Sequence, residues 1–287
     1  MVNLRDDIWV KDVSSYLNEV FGLGSKHRNS VRCYRGQADL SWDLKPSVLR
    51  GLQGDAEYAM FSELMLEAPS EFNGDKAMFD KLVRAQHYGL PTRLLDVSLN
   101  PLVSLYFACC EEEHRDKNGV VLIFDFRNVR VKFSDSDSIS LVCNLARLSE
   151  VEKNSIIEFD ERSDDVEGFR ALAAMKRLTQ FVRIEKPYFL DSAKPEDLFK
   201  YFFVYPAKNN RRVIAQSGAF IAAGLLKYKG LEKSVGFNIR KIIVPADKKW
   251  SIVKQLDALN INSRTMFPEV EFASKYIKDK WIKRRAW

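Results

Sequence analysis

The chain has 287 residues, 46% hydrophobic and 29% charged, a balance that excludes disorder as its main state. Lys and Arg number 45 against 39 Asp and Glu, a net charge of +6. Three His and four Cys, with no C-x-x-C spacing, leave no ligand set for a structural zinc site and no disulfide framework, so no metal is expected.

At roughly 150 residues per domain the length allows one large domain or two small ones. The first residues, MVNLRDDIWVKDVSSYL, carry acids and no continuous apolar stretch, so no secretory signal is expected. No run approaches the ~18 apolar residues of a membrane span, and a cytoplasmic protein with reduced thiols is expected.

In chain order, apolar residues at Ile8, Val13, Leu17, Val20 and Phe21 have helical spacing and predict an amphipathic helix over 8–21. A loop through residues 22–30 leads to a short strand, Val31 to Arg35, ended by Gly36. Residues 55–70 and 77–88 have helix-favouring composition and are separated by Pro69-Ser70 and Asn73-Gly74. Thr92 to Ser98 predicts a strand. Asn100-Pro101 then opens a helix, because Asn caps well and Pro fits the first turn. Gly119 to Phe126 is continuous, β-branched and aromatic, the pattern of a buried strand. Residues 138–180 read as helical and polar. Strands are predicted at Tyr201–Tyr205, Ala219–Ala222 and Arg240–Val244, and helices at Lys248–Leu259 and Glu269–Trp281. In the last, Val270, Ala273, Ile277 and Trp281 share one face. The pattern gives one α+β domain with a helical insertion at about 134–198.

Three polar segments stand out. Tyr34-Arg35-Gly36 sets a planar cationic fork at a strand end beside a residue that allows close approach, suited to a phosphate or carboxylate. A surface Arg in a turn would look the same. Gln86 to Asp96 concentrates His87, Tyr88, Thr92, Arg93 and Asp96 around Gly89 and Pro91. Its structural alternative is an Arg93–Asp96 ion pair, Thr92 as a cap and His87 as a satisfied core residue. Arg211-Arg212 followed by Gln216-Ser217-Gly218 leads into an apolar strand, either as a binding turn or as a plain polar turn. No phosphate-binding G-x-x-x-x-G-K-[ST] loop, dinucleotide G-x-G-x-x-G, G-x-S-x-G or H-E-x-x-H occurs. Glu269-Val270-Glu271 reads as ordinary acids at a helix start.

The net charge hides an asymmetry. Residues 1–205 hold 27 basic and 33 acidic residues, a net of −6; residues 206–287 hold 18 and 6, a net of +12. A polyanionic partner on one face fits this, as does an internal match between the basic third and the acidic block Asp135–Glu167. Lys275, Lys278, Lys280, Lys283, Arg284 and Arg285 lie beside Tyr276, Trp281 and Trp287. Such a mixture tracks phosphates and stacks on bases, or forms a solvated helix whose aromatics dock on the core.

The run Tyr34-Arg35-Gly36-Gln37, with Trp42, Leu44 to Ser47, Gln86-His87-Tyr88-Gly89-Leu90-Pro91-Thr92-Arg93-Leu94-Leu95-Asp96, Asn100-Pro101-Leu102 and Tyr106-Phe107-Ala108, resembles the FRG domain. Gln216 to Phe220 and Met266-Phe267-Pro268 are similar to its C-terminal part, so the resemblance runs over about residues 30–275. Val97 stands where the family commonly has Trp, and Glu269 where it commonly has Asp.

A weaker resemblance is to the ADP-ribosyltransferases, which place an Arg on a first core strand, then a strand and helix around nicotinamide, then a late Glu or Gln. Here that order is Tyr34-Arg35-Gly36, Thr92–Ser98 and Gln216, without the usual acid after Gln216. This resemblance implies a split mixed or antiparallel β core and divides the chain into an N-terminal helix and loop (1–30), the domain (31–275) and a basic tail (276–287). It implies NAD as substrate and an enzyme transferring ADP-ribose, with Arg35 and Gln216 in the catalytic positions. Tyr34, Gly36, His87, Tyr88, Thr92, Arg93 and Asp96 would hold the cofactor. Arg211, Arg212, Lys280, Lys283 and Arg284 would contact a nucleic-acid acceptor, RNA before DNA. The expected setting is a toxin of a toxin–antitoxin or phage-defence system, with a neutralising protein partner. The alternatives are a non-enzymatic nucleotide- or partner-binding FRG module and an NAD hydrolase.

Overall fold

The computed structural model describes residues 7–24, 30–52, 54–162, 164–226, 231 and 236–284. Its strands are β1 (Ile8–Trp9), β2 (Ser30–Gln37), β3 (Leu94–Ser98), β4 (Gly119–Arg127), β5 (Val131–Phe133), β6 (Tyr201–Tyr205), β7 (Gly218–Ala223) and β8 (Phe237–Val244). Among the described residues there are thirteen α-helices. They are α1 (Val13–Gly22), α2 (Ala56–Glu67), α3 (Met78–His87), α4 (Pro101–Cys109), α5 (Asp137–Asn144), α6 (Glu150–Arg162), α7 (Val166–Ala171), α8 (Ala173–Glu185), α9 (Pro195–Leu198), α10 (Arg211–Ala215), α11 (Lys249–Ala258), α12 (Ser263–Met266) and α13 (Val270–Arg284).

The strands form one mixed sheet in the order β1-β8-β4-β2-β3-β7-β6-β5, parallel at its two outer pairs and antiparallel between. The α+β class follows. The sheet is single, yet unevenly knit. Eight residue pairs join β2 to β4, and one pair, Tyr34 with Ser98, joins β2 to β3.

Side chains alternate across a strand, and β4 shows it. Val121 and Ile123 pack with α1, α4 and α11 on one face. Val120, Leu122, Phe124 and Phe126 pack on the other with Leu44, Phe203 and Phe237. Burial on both faces is why this strand reads as an unbroken apolar run. Past the β2–β3 parting, Leu94, Phe202, Val204 and Phe220 pack against Phe79 and Leu82 of α3 and Val142 of α5. The cross-strand register puts Tyr34 and Ser98, and with them Leu94, on one face. The two helix packs therefore share a face and flank the parting.

Several expectations need correction. The helix over 8–21 is instead a strand followed by a helix. Ile8 and Trp9 pair in parallel with Ile242 and Ile243, and Asp12 caps α1 by accepting from the Ser15 N–H at 2.7 Å. The 138–180 segment is several helices, and it is not simply polar: Leu141, Leu148, Phe169 and Leu178 build a core of their own. The predicted face of α13 is exposed rather than docked, with Val270 75% and Ile277 50% accessible. The strand β5 and the short helix α10 were absent from the sequence pattern; each has too few residues to show a period. No helix among the described residues is long and apolar enough to cross a membrane.

Candidate functional site

The parting between β2 and β3 opens into a cleft of about 250 Å3, and all three polar segments reach it. Arg35 comes from β2, His87 from the end of α3, Asp96 from β3, and Arg212 and Gln216 from α10 and the turn after it. Tyr34 and Gly36 also line it.

Arg35 donates through Nη1 to the main-chain oxygen of Asp96 at 2.8 Å. Its Nε is enclosed and has no hydrogen-bond partner. Burial pulls the guanidinium below its usual range, while nearby Asp96 and Glu111 oppose that shift. It remains a cation at any physiological pH. The guanidinium thus lines the cleft with Nη1 spent on Asp96 and Nε enclosed. Gly36, which lines the cleft, also has a packing task. A Cβ there would lie 1.9 Å from the Ser104 carbonyl oxygen, so the glycine lets α4 pack onto β2.

The Gln86–Asp96 segment divides into wall and frame. Thr92 is buried and donates through Oγ1 to Gln86 Oε1 at 2.7 Å, and Gln86 Nε2 donates to Asp96 Oδ2 at 2.5 Å. This relay aims the Asp96 carboxylate from behind. Thr92 and Arg93 themselves do not line the cleft. Arg93 is buried against Glu57, at 2.8 and 2.5 Å, and donates to the Ala223 carbonyl at 2.9 Å. Lys153 on α6 adds a second cation to Glu57 at 2.7 Å. The partner of Arg93 is therefore Glu57 rather than Asp96, and burial is offset so well by the two cations that Glu57 is held down to about 2. Tyr88 also departs from expectation: it is half exposed, outside the cleft lining, with its hydroxyl donating to Glu71 at 2.6 Å.

Gln216 Nε2 donates to the Met266 carbonyl at 3.0 Å, tying the cleft to the turn before α13. Ser98 Oγ donates to the Gln216 carbonyl at 2.7 Å. The following residue, Ser217, sits at φ 48°, a left-handed conformation unusual for serine. Arg212 lies over the Phe267 ring at 4.6 Å and lines the cleft. Arg211 faces a separate, adjoining hollow of about 230 Å3 with Asp75, Asp80 and Arg84. The Lys280, Lys283 and Arg284 side chains, and residues 285–287, lie outside the described residues.

Four side chains escaped the sequence reading. Gln86 and Trp42 belonged to quoted motifs without an assigned role, and both line the cleft. Glu111 lines it too, hidden in the Glu111–Glu113 run whose sequence gives no hint of which acid turns inward. Glu269 was read as a helix-start acid, yet its Oε1 lies 3.5 Å from His87 Nε2.

Residues 30–117 match the FRG domain. The matched segment runs from β2 through α4 to the turn before β4, and so carries Arg35, His87, Asp96 and Glu111. The resemblance over 30–275 is thus shown for its first part; Gln216 and the Met266–Pro268 turn lie outside the match. No curated protein and no solved structure matches the chain.

Proposed function

We propose that the cleft binds NAD and transfers its ADP-ribosyl group, with a nucleic acid as acceptor. The observation that carries this reading is the charge pattern of the cleft: Arg35 and Arg212 are matched by Asp96 and Glu111 on the same lining. A trap for phosphate alone would be cationic throughout. A mixed lining suits a ligand with both signs, an anionic pyrophosphate next to a cationic nicotinamide ring. Breaking the nicotinamide–ribose bond builds positive charge on the ribose, and fixed carboxylates stabilise that charge where it develops. In this reading the Arg35 guanidinium holds phosphate, and Asp96, aimed by Gln86 and Thr92, and Glu111 face the sugar. A volume of about 250 Å3 lies just below the range of drug-sized pockets, about 300–1,000 Å3. In this reading the cleft takes the nicotinamide–ribose half and the adenosine half stays outside.

The acceptor follows from the +12 carried by residues 206–287, beginning at the cleft with Arg212. A toxin held in check by a partner protein is the setting proposed for such an activity. The test is incubation with labelled NAD and total RNA, then DNA. Label transfer to RNA and growth arrest on expression, both lost in Arg35→Ala, are the expected results. An absence of NAD loss under every condition would sink the reading.

One observation favours a second reading. Gln216 spends its amide N–H on Met266, and no acid follows it in sequence, which fits a nucleotide-binding module without transfer. NAD binding without turnover would select it, and NAD loss without label on any polymer would indicate a hydrolase.

A further inference from the structure

Both described histidines flank this cleft, and each stands 3.5 Å from a glutamate. The two pairs are arranged in opposite senses. In one, Glu111 lines the cleft and His114 stands behind it, Nδ1 toward Glu111 Oε2 and the ring edge-on to Trp42. In the other, His87 lines the cleft and Glu269 stands behind it, Oε1 toward His87 Nε2. One pair presents a carboxylate to a ligand and the other presents an imidazole.

We infer that His87 is the proton acceptor for the attacking group and that Glu269 is its positioning residue. The inference rests on the cleft being an NAD site, as proposed above. Glu269 beside Nε2 favours the tautomer with the proton on that nitrogen, which leaves the Nδ1 lone pair free. Nδ1 has almost no accessible surface and no hydrogen-bond partner, so an acceptor reaches it with a turn of the ring; Glu269 Oε2 likewise has no partner. Neither atom is part of the 3.5 Å contact; unsatisfied buried polar atoms are rare in a folded protein, and one on each partner points to a group the pair is built to meet.

His87 is held as the last residue of α3, and just before α13 stands Glu269. Its own placement is fixed by the turn it ends: Gln216 holds Met266, Arg212 lies over Phe267, and Phe267 stacks on Phe272 with ring centroids 4.4 Å apart. The Tyr88 ring meets the imidazole edge-on at 5.5 Å, and the hydroxyl bond to Glu71 holds that ring.

The step balances as follows. The acceptor's O–H or N–H bond breaks, its proton moves to His87 Nδ1, and its electron pair forms the bond to ribose C1′. The bond from C1′ to nicotinamide breaks with its pair going to the ring nitrogen, so nicotinamide leaves neutral. The imidazolium then returns its proton to water.

The test measures nicotinamide release from NAD in desalted cell extract, corrected for extract alone, so that any acceptor in the extract supports turnover. NAD binding to the purified protein is followed by calorimetry. His87→Gln is expected to lower kcat by roughly 100-fold or more while leaving the Kd for NAD within about twofold. Glu269→Gln should lower kcat by about tenfold, and Glu269→Asp should restore part of it. Wild-type kcat in His87→Gln, or a loss confined to NAD binding, overturns the assignment and leaves the NAD site standing. A wild-type protein that neither binds NAD nor releases nicotinamide overturns the NAD reading, and the assignment falls with it.

Discussion

Arg35 on β2 reaches across to β3 and donates to the Asp96 main-chain oxygen at 2.8 Å, at the place where the ladder between the two strands has stopped after Tyr34 and Ser98. One side chain thus bridges the parting that makes the cleft. Lys has one point charge and no planar fork, so Arg35→Lys should bridge without gripping. Its Kd for NAD should rise roughly tenfold or more, the equivalent of about 1.4 kcal/mol. Arg35→Met should also lower stability by about 1.5–3 kcal/mol, the worth of a hydrogen bond to a charged group. Calorimetry and urea unfolding check the two effects separately. Unchanged NAD affinity in both variants would remove Arg35 from the site.

Gly36 and Gly89 make a paired test of what a glycine is for. At Gly36 an added Cβ meets the Ser104 carbonyl at 1.9 Å, so α4 must lift off β2. Gly36→Ala should cost about 3 kcal/mol or more in urea unfolding. At Gly89 the space is open and φ is +89°, so Gly89→Ala pays backbone strain alone, about 1–2 kcal/mol. Equal losses would contradict the packing role of Gly36.

Glu57 governs acid sensitivity. Its carboxyl is held at about 2, below its ordinary value of 4.5, by Arg93 and Lys153. The folded value is depressed, so its contribution is complete above 4.5 and is lost as pH falls through about 2. Urea midpoints should therefore fall between pH 4.5 and 2, and Glu57→Gln should flatten that slope. Glu57→Ala leaves the buried Arg93 and the partly buried Lys153 without their carboxylate and should cost about 3–5 kcal/mol at neutral pH.

None of the four cysteines is in a disulfide. Burial pushes the Cys109 and Cys110 thiols up to about 12 and raises Cys143 further. At pH 8 a thiol at 12 is thiolate in about one molecule in ten thousand. Thiol-reactive dye should label the native protein slowly and the urea-unfolded protein at once. Rapid native labelling at Cys109 would contradict its burial.

What the sequence made legible follows from the range of each signal. β4 was plain because Val120 to Phe124 and Phe126 are buried among apolar neighbours on both faces, and α4 because Asn100 and Pro101 announce its start. β1 was not, because two residues cannot show a period and the partners Ile242 and Ile243 come from the far end of the chain. The polar segments were found because their residue types are unusual together, but composition does not say which side faces a ligand. Arg93 and Asp96 are near neighbours in sequence, yet one is sealed against Glu57 and the other lines the cleft. Glu269 does stand at the start of α13, as its sequence context says, but only tertiary structure brings His87 to it. The face of α13 shows the opposite failure, a periodic pattern whose Val270, Ile277 and Trp281 stay exposed.

Gln216 offers the sharpest division between a holding and a reacting role. Its amide N–H donates to Met266, and its carbonyl accepts from Ser98, so both ends of the residue are tied into structure. Gln216→Glu replaces the donor with an oxygen facing the Met266 carbonyl, which repels the Met266–Glu269 turn and loosens Glu269 from His87. The expected result is a lower urea midpoint, by about 1–3 kcal/mol for an unsatisfied buried carbonyl, together with slower nicotinamide release. Gln216→Ala should lower both readouts in the same direction, because the loss of the tie is common to the two variants. A Gln216→Glu protein that releases nicotinamide faster than wild type would show instead that an acid at this position acts on the sugar, and would move the reacting role from the Glu111 side of the cleft to this turn.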